Sequence, residues 1–99
     1  MRDDHSEFPN LHLFDHPLIQ HKMTALRDRE TSFRAFRAVM AQLAGLMVYE
    51  VTRSFPAVSV EVQTPLEKTT GLSIKASITV VPVLRAGLGM AEGVLEIMP

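Results

Sequence analysis

The chain contains no cysteine in its 99 residues. That excludes a disulfide framework and a thiolate metal site. It also lacks any surplus of charge: ten basic side chains stand against eleven acidic ones, a formal net charge of −1. Averaging hides no charged tail, because residues 1–50 carry six basic and seven acidic groups and residues 51–99 carry four of each. A dedicated nucleic-acid binder usually has a basic excess, so a nucleic-acid partner is not expected. No apolar run approaches the roughly 18 residues of a membrane span. The opening "MRDDHSEFPNLHLFDHP" is polar and acidic, without the apolar stretch of a signal peptide. The expectation is a soluble cytoplasmic protein with no membrane contact. What is present is globular in character: 46% hydrophobic and 21% charged residues, in a length that suits one small domain or part of a larger one.

Residues 1–15 read as an N-terminal arm that docks through Phe8, Leu11, Leu13 and Phe14. Asp15 is a candidate helix cap, and Pro17 suits a first helical turn. A helix is expected over 16–27, with Leu18, Ile19, Met23 and Leu26 near one face. "RDRETS" breaks it, and Thr31 or Ser32 can cap the next. Phe36, Val39, Met40, Leu43, Leu46, Met47 and Val51 then recur at steps of three and four, which predicts an amphipathic helix over 33–52 with its Phe and Met positions in the core. Gly45 inside it suggests close approach of another element.

"AVSVEVQTP" alternates strictly, which predicts a half-buried strand ended by Pro65. "LEKTTG" reads as a turn, with Gly71 able to supply a positive φ, and "LSIKA" as a short return strand. "SITVVPVL", residues 77–84, is apolar without alternation, the pattern of a parallel-sheet strand buried on both faces. A glycine-rich loop and a helix through Ala91, Val94, Leu95 and Met98 follow. The predicted class is α/β: N-terminal helices, a β-hairpin and the start of a parallel sheet. A strand with two apolar faces needs neighbours that this chain supplies sparingly. The expectation is therefore the N-terminal part of a larger α/β domain, or a module that a partner chain must cover.

The stretch "ITVVPVLRAGLGMAEGV" carries the most chemistry. Its glycines are spaced G-L-G-M-A-E-G, one residue too long for the dinucleotide fingerprint G-x-G-x-x-G. No lysine followed by serine or threonine makes it a P-loop. Arg85, however, stands at the carboxyl end of the apolar run, where ligands bind in open α/β sheets. Its planar fork can grip phosphate oxygens through two hydrogen bonds. Gly87 and Gly89 would let a ligand approach backbone N–H groups. The alternative, equally open on spacing alone, is that Arg85 caps a carbonyl or pairs with a carboxylate while the glycines turn the chain.

The four histidines, His5, His12, His16 and His21, do not have metal-site spacing. His16 and His21 lie five apart and do not stack on one helical face. Arg27, Arg29, Arg34 and Arg37 form a basic cluster interrupted by Asp28 and Glu30, which reads as a solvated face. Tyr49 and Glu50 suggest an interface or a loop contact, not catalysis.

Three blocks resemble one family in order. "HPLIQHKMTALRD" is similar to the opening His-Pro-Leu helix of uracil phosphoribosyltransferases, "FRAVMAQLAGLMVYEVT" to their Phe-Arg…Tyr-Glu helix, and "VEVQTPLEKTTG" before "ITVVPVLRAGLGMAEGVLEIMP" to their hairpin and following strand and loop. The similarity spans residues 16–99 and covers the N-terminal half of the family's pattern. It implies a type I phosphoribosyltransferase fold and transfer of a phosphoribosyl group from phosphoribosyl pyrophosphate to uracil, giving UMP in pyrimidine salvage. It implies Mg²⁺ carried with the pyrophosphate, a homo-oligomer, and GTP as an activator in some members. Within the matched motif, Leu84-Arg85-Ala86-Gly87 corresponds to the pyrophosphate loop, which assigns substrate binding to Arg85, Ala86 and Gly87. No catalytic residue and no metal ligand is assigned. The family's Thr-Gly-Gly loop for the ribose phosphate and its uracil-reading segment have no counterpart here, so the chain alone is expected to be inactive.

Overall fold

The structure is a computed structural model describing residues 2–4, 8–84 and 87–98, the first three by their backbone. In the arm, β1 (Arg2–Asp4) pairs antiparallel with β2 (Leu11–Leu13), Arg2 opposite Leu13. Segments of three residues carry too little alternation to announce a strand, and the sequence had suggested only a docking arm.

Helix α1 spans Pro17–Arg27. Its cap is His16 and not Asp15: the His16 Nδ1 accepts the Leu18 N–H at 3.1 Å. The capping side chain must sit immediately before the first helical residue, and Pro17 fixes that place, leaving Asp15 one residue too early. The break that follows is built by two side chains. Asp28 Oδ1 accepts the Glu30 N–H at 2.9 Å, and Thr31 Oγ1 donates to the Ala25 carbonyl at 2.6 Å. With Thr31 committed there, Ser32 caps α2 (Phe33–Val51), its Oγ accepting the Ala35 N–H at 3.1 Å. At the far end Thr52 Oγ1 returns to the Val48 carbonyl at 2.8 Å, and a short 3₁₀ turn, Thr52–Ser54, leads out.

Helix α2 is the centre of the molecule, packed against both α1 and α3 (Leu88–Ile97). The buried residues, Ile19 on α1, Leu43, Ala44 and Gly45 on α2 and Gly93 on α3, mark those two contacts. Close crossing of α2 and α3 depends on missing side chains. A Cβ on Gly93 would overlap the Ala41 carbonyl oxygen and lie 2.7 Å from its carbon, and one on Gly45 would lie 3.2 Å from Ile97 Cδ1. The expected role of Gly45 is thus realised, and Gly93 carries the tighter half of the contact. The Phe positions depart from expectation. Phe33 and Phe36 are exposed, while Met40 and Met47 are half-buried. The two-helix contact covers only one stripe of α2 and leaves the Phe end open.

Strands β3 (Ala57–Gln63) and β4 (Lys68–Ile74) form an antiparallel hairpin with Val60 opposite Gly71 and Val62 opposite Thr69. The return strand starts four residues earlier than the expected "LSIKA". Thr69 and Thr70, read as turn, are β-branched and fit the ladder. Thr64 alone closes the turn, its Oγ1 accepting from the Glu67 N–H at 3.0 Å while its N–H donates to the Glu67 carbonyl at 2.9 Å. Gly71 sits inside β4 with no positive φ, and a Cβ there would lie 3.4 Å from Val62 Cγ2. None of the described helices packs on the hairpin.

The largest correction concerns residues 77–84. They form no strand, and Val81 and Val83 are 85% and 77% exposed. A parallel strand exists only by virtue of its neighbours, and none of the described strands lies beside this one. Two bulk measures agree. The radius of gyration is 17.1 Å, against about 13 Å for a compact chain of this length. The accessible surface is 8134 Å², against about 5,600 Å² from the size scaling of folded monomers. The α/β class therefore stands with its sheet incomplete. Among the described residues, no helix is long and apolar enough to cross a membrane.

Candidate functional site

The apolar run and the start of α3 enclose one side of an open cleft of about 530 Å³, lined by Val81, Pro82, Val83 and Gly87 below and by Met40, Met90 and Val94 from the helices. Leu84, the next residue in sequence after Val83, is 75% exposed. Arg85 and Ala86, two of the three expected pyrophosphate-binding residues, lie outside the described residues. Gly87 is described. It immediately precedes α3, and its N–H donates to the Val83 carbonyl at 2.6 Å, while its own carbonyl accepts the Ala91 N–H at 3.0 Å. A hydrogen bond thus runs from residue 87 back to residue 83. The helix that follows presents its positive N-terminal end at the same place, with the first N–H groups free of intrahelical partners. A helix N-terminus of this kind favours an anion.

A second recess of about 350 Å³ lies between the arm, α1 and the end of α2, lined by Phe14, His16, Leu18, Leu46, Glu50 and Arg53 among others. Arg53 grips Glu50 with a two-point contact, Nε to Oε2 at 3.1 Å and Nη2 to Oε1 at 2.8 Å. These hydrogen bonds hold the Glu50 carboxyl below its usual range and raise the guanidinium of Arg53. The sequence had singled out Glu50 but not its partner. The i, i+3 spacing across a helix end was the signal that could have found it. Both side chains are consumed by the pair, which ties the last turn of α2 to the 3₁₀ turn. Tyr49 is exposed beside it.

The basic cluster is partly neutralised. Arg37 pairs with Glu92 of α3 at 3.5 Å, and Arg29 with Glu30 at 3.7 Å, both pairs well exposed. Exposed pairs of this kind contribute little. Of the histidines, His16 caps α1. Among the described residues, no three His, Asp or Glu side chains converge on a point where a metal could sit.

Comparison with known proteins points to one family. The family model described as uracil phosphoribosyltransferase matches residues 13–99. The chain is 51% identical to a uracil phosphoribosyltransferase of Exiguobacterium sibiricum, over 90% of this chain and 43% of that protein. It is 48% identical to a uracil phosphoribosyltransferase of Burkholderia mallei, over 100% of this chain and 46% of that protein. Among solved structures, the AQ2163 protein from Aquifex aeolicus superimposes with a TM-score of 0.80 at 33% identity, covering 85% of this chain and 41% of the other. The chain thus spans less than half the length of these relatives. The matched region includes the residues lining the cleft and residues 84–87.

Proposed function

The chain belongs to the uracil phosphoribosyltransferase family, and from that premise we propose that it forms the pyrophosphate-binding wall of a site that transfers a phosphoribosyl group from phosphoribosyl pyrophosphate to uracil. The products are UMP and pyrophosphate. The observation that carries the proposal is that the family match, over residues 13–99, includes Arg85, two residues before Gly87, which lines the cleft and precedes α3. Arg85 is the ligand-binding side chain, and Ala86 and Gly87 contribute backbone contacts. In such a transfer, negative charge grows on the departing pyrophosphate as its bond to the ribose breaks. A guanidinium and a helix N-terminus aimed at that position stabilise the charge in the transition state more than in the ground state.

Magnesium belongs to the substrate in this account. It arrives with the pyrophosphate, as the family resemblance implies. The exposed apolar surface of residues 78–84 supports completion of the sheet by further chain; assembly into a homo-oligomer, a cytoplasmic location and GTP as an activator rest on the family resemblance alone. The same exposure supports a second expectation: the 99-residue chain has no transferase activity by itself. Relatives are more than twice its length, and the remaining walls of a phosphoribosyl site have no residues here.

Complementation tests this directly. The chain is mixed with the part of the Burkholderia mallei relative that lies beyond the matched region, and formation of UMP from labelled uracil and magnesium phosphoribosyl pyrophosphate is followed. Product is expected with both pieces and with neither alone. Arg85→Ala in the chain is expected to lower the rate by about 10²–10³, the usual loss for one oriented donor at a developing anion. Turnover that is indifferent to Arg85→Ala refutes the assignment.

A further inference from the structure

We propose that His16 is a proton-sensitive latch: its neutral ring caps α1 and holds the N-terminal arm to the helix, and protonation of the ring releases both. Ser, Thr, Asp and Asn are the usual N-cap residues, but this helix starts on an imidazole. The His16 Nδ1 accepts the Leu18 N–H at 3.1 Å. A ring nitrogen accepts only through a free lone pair, so the ring proton belongs on Nε2. Protonation makes both nitrogens donors. Nδ1–H then meets the Leu18 N–H donor against donor, and the cap is lost. The usual capping side chains do not respond in this way near neutral pH. Imidazoles titrate around pH 6.5, whereas carboxylates do so near 4 and hydroxyls not at all. His16 is exposed, so solvent protons reach it.

The tether between arm and helix depends on that first turn. The His16 carbonyl accepts the Gln20 N–H at 3.0 Å, and Gln20 Nε2 donates back to the Phe14 carbonyl at 3.3 Å. Ile19, in the same turn, is the buried residue of α1. Fraying this turn therefore frees the arm and loosens the seat of α1 together. The groups around the ring leave the switch intact. The recess that His16 lines is shared with Phe14 of the arm, with Tyr49 and Glu50 at the end of α2, and with Arg53 of the 3₁₀ turn. The Glu50 carboxylate favours a charged ring, but Arg53 grips it at two points, and the pair carries no net charge. Asp15, the preceding residue, is exposed, where salt and water screen it. The capped turn disfavours the added proton, so the unfolded turn binds more protons than the folded one. Stability of the turn therefore rises with pH through the imidazole range and is lost as pH falls.

The test follows three forms of the 99-residue chain by NMR between about pH 8 and about pH 5.5. They are the wild type, His16→Asn, which caps at every pH, and His16→Ala, which caps at none. At the upper pH the wild-type ring is expected to carry its proton on Nε2, read from the imidazole nitrogen shifts. Its Gln20 amide is expected to be as well protected from exchange as that of His16→Asn, after correction for the intrinsic rate. At the lower pH that protection is expected to fall about fivefold, to the level of His16→Ala, the usual loss for one cap. The Leu18 amide and Ile19 methyl signals are expected to move with the same midpoint as the ring. In both variants the turn is expected to ignore pH. A wild-type ring protonated on Nδ1 at the upper pH overturns the proposal. So does a Gln20 amide equally protected at both ends, or a pH response that persists in His16→Asn. If His16→Ala is too unstable to study, the wild type against His16→Asn decides alone.

Discussion

Gly93→Ala is the substitution whose consequence can be worked most closely from the geometry. The added methyl carbon would sit 2.7 Å from the Ala41 carbonyl carbon and 2.9 Å from its Cα, besides overlapping the oxygen between them. Comfortable carbon–carbon contact needs about 3.5–4.0 Å, so the helices must separate by roughly 1 Å. All three obstructing atoms are backbone of α2, and no rotamer change relieves them. Overpacking of this kind costs about 1–3 kcal/mol. Alanine in place of glycine within a helix returns about 0.8–1 kcal/mol. The upper end of the cost applies, because neither helix can yield locally, and the net loss is about 2 kcal/mol. For a chain of this size that corresponds to a fall in melting temperature of roughly 8–16 °C. Thermal unfolding followed by far-ultraviolet circular dichroism reads it. Gly45→Ala is the internal control. Its one tight neighbour is the tip of Ile97, Cδ1 at 3.2 Å, which can swing away, while the Gly93 carbonyl oxygen at 3.6 Å is an ordinary contact, so the propensity gain leaves stability unchanged or slightly raised. A Gly93→Ala chain that melts at or above the wild-type temperature refutes the close-crossing account.

Other expectations follow from the caps, the ion pair and the open apolar face. Ser32→Ala removes the acceptor for the Ala35 N–H and is expected to cost about 1 kcal/mol in denaturant unfolding, with Ser32→Asp recovering most of it. Hydrogen bonds from Arg53 hold the Glu50 carboxyl below its usual range. Its contribution to stability is therefore complete above the ordinary carboxylate value, about 4.3, and is lost as pH falls through the lower folded value. Melting curves from pH 7 to pH 2.5 are expected to show this acid loss reduced in Glu50→Gln. Val81→Asp and Val83→Asp, at positions 85% and 77% exposed, are expected to change the stability of the 99-residue chain by no more than about 0.5 kcal/mol. The same substitutions are expected to abolish UMP formation in the complementation assay, where that face must be covered.

The three helices were legible because their signals are local. The apolar period of α2, Pro17 at the first turn of α1 and Ser32 before α2 act within a few residues of where they are read. The hairpin was half legible. Val58, Val60 and Val62 alternate, but Thr69 and Thr70 suit either a turn or a strand, and only the pairing with β3 decides. Residues 77–84 show the limit from the other side. Their composition is that of a buried strand, yet strand structure there depends on neighbours that are not among the described ones. Gly93 was grouped by sequence with the loop glycines, although it lies in the middle of α3. Its role comes from Ala41, 52 positions earlier in the chain, and no local pattern carries that information. For the site, spacing alone left Arg85 undecided between a phosphate ligand and a structural contact. Family resemblance, not periodicity, tipped the balance.

The central claim is that Arg85 is a pyrophosphate ligand. Calorimetric titration of magnesium phosphoribosyl pyrophosphate into the 99-residue chain and into its Arg85→Ala variant tests it most directly. The account predicts saturable binding by the wild-type chain and a loss of at least about 1.5–3 kcal/mol in the variant, the range for a hydrogen bond to a charged group. Equal binding by the two chains would contradict it.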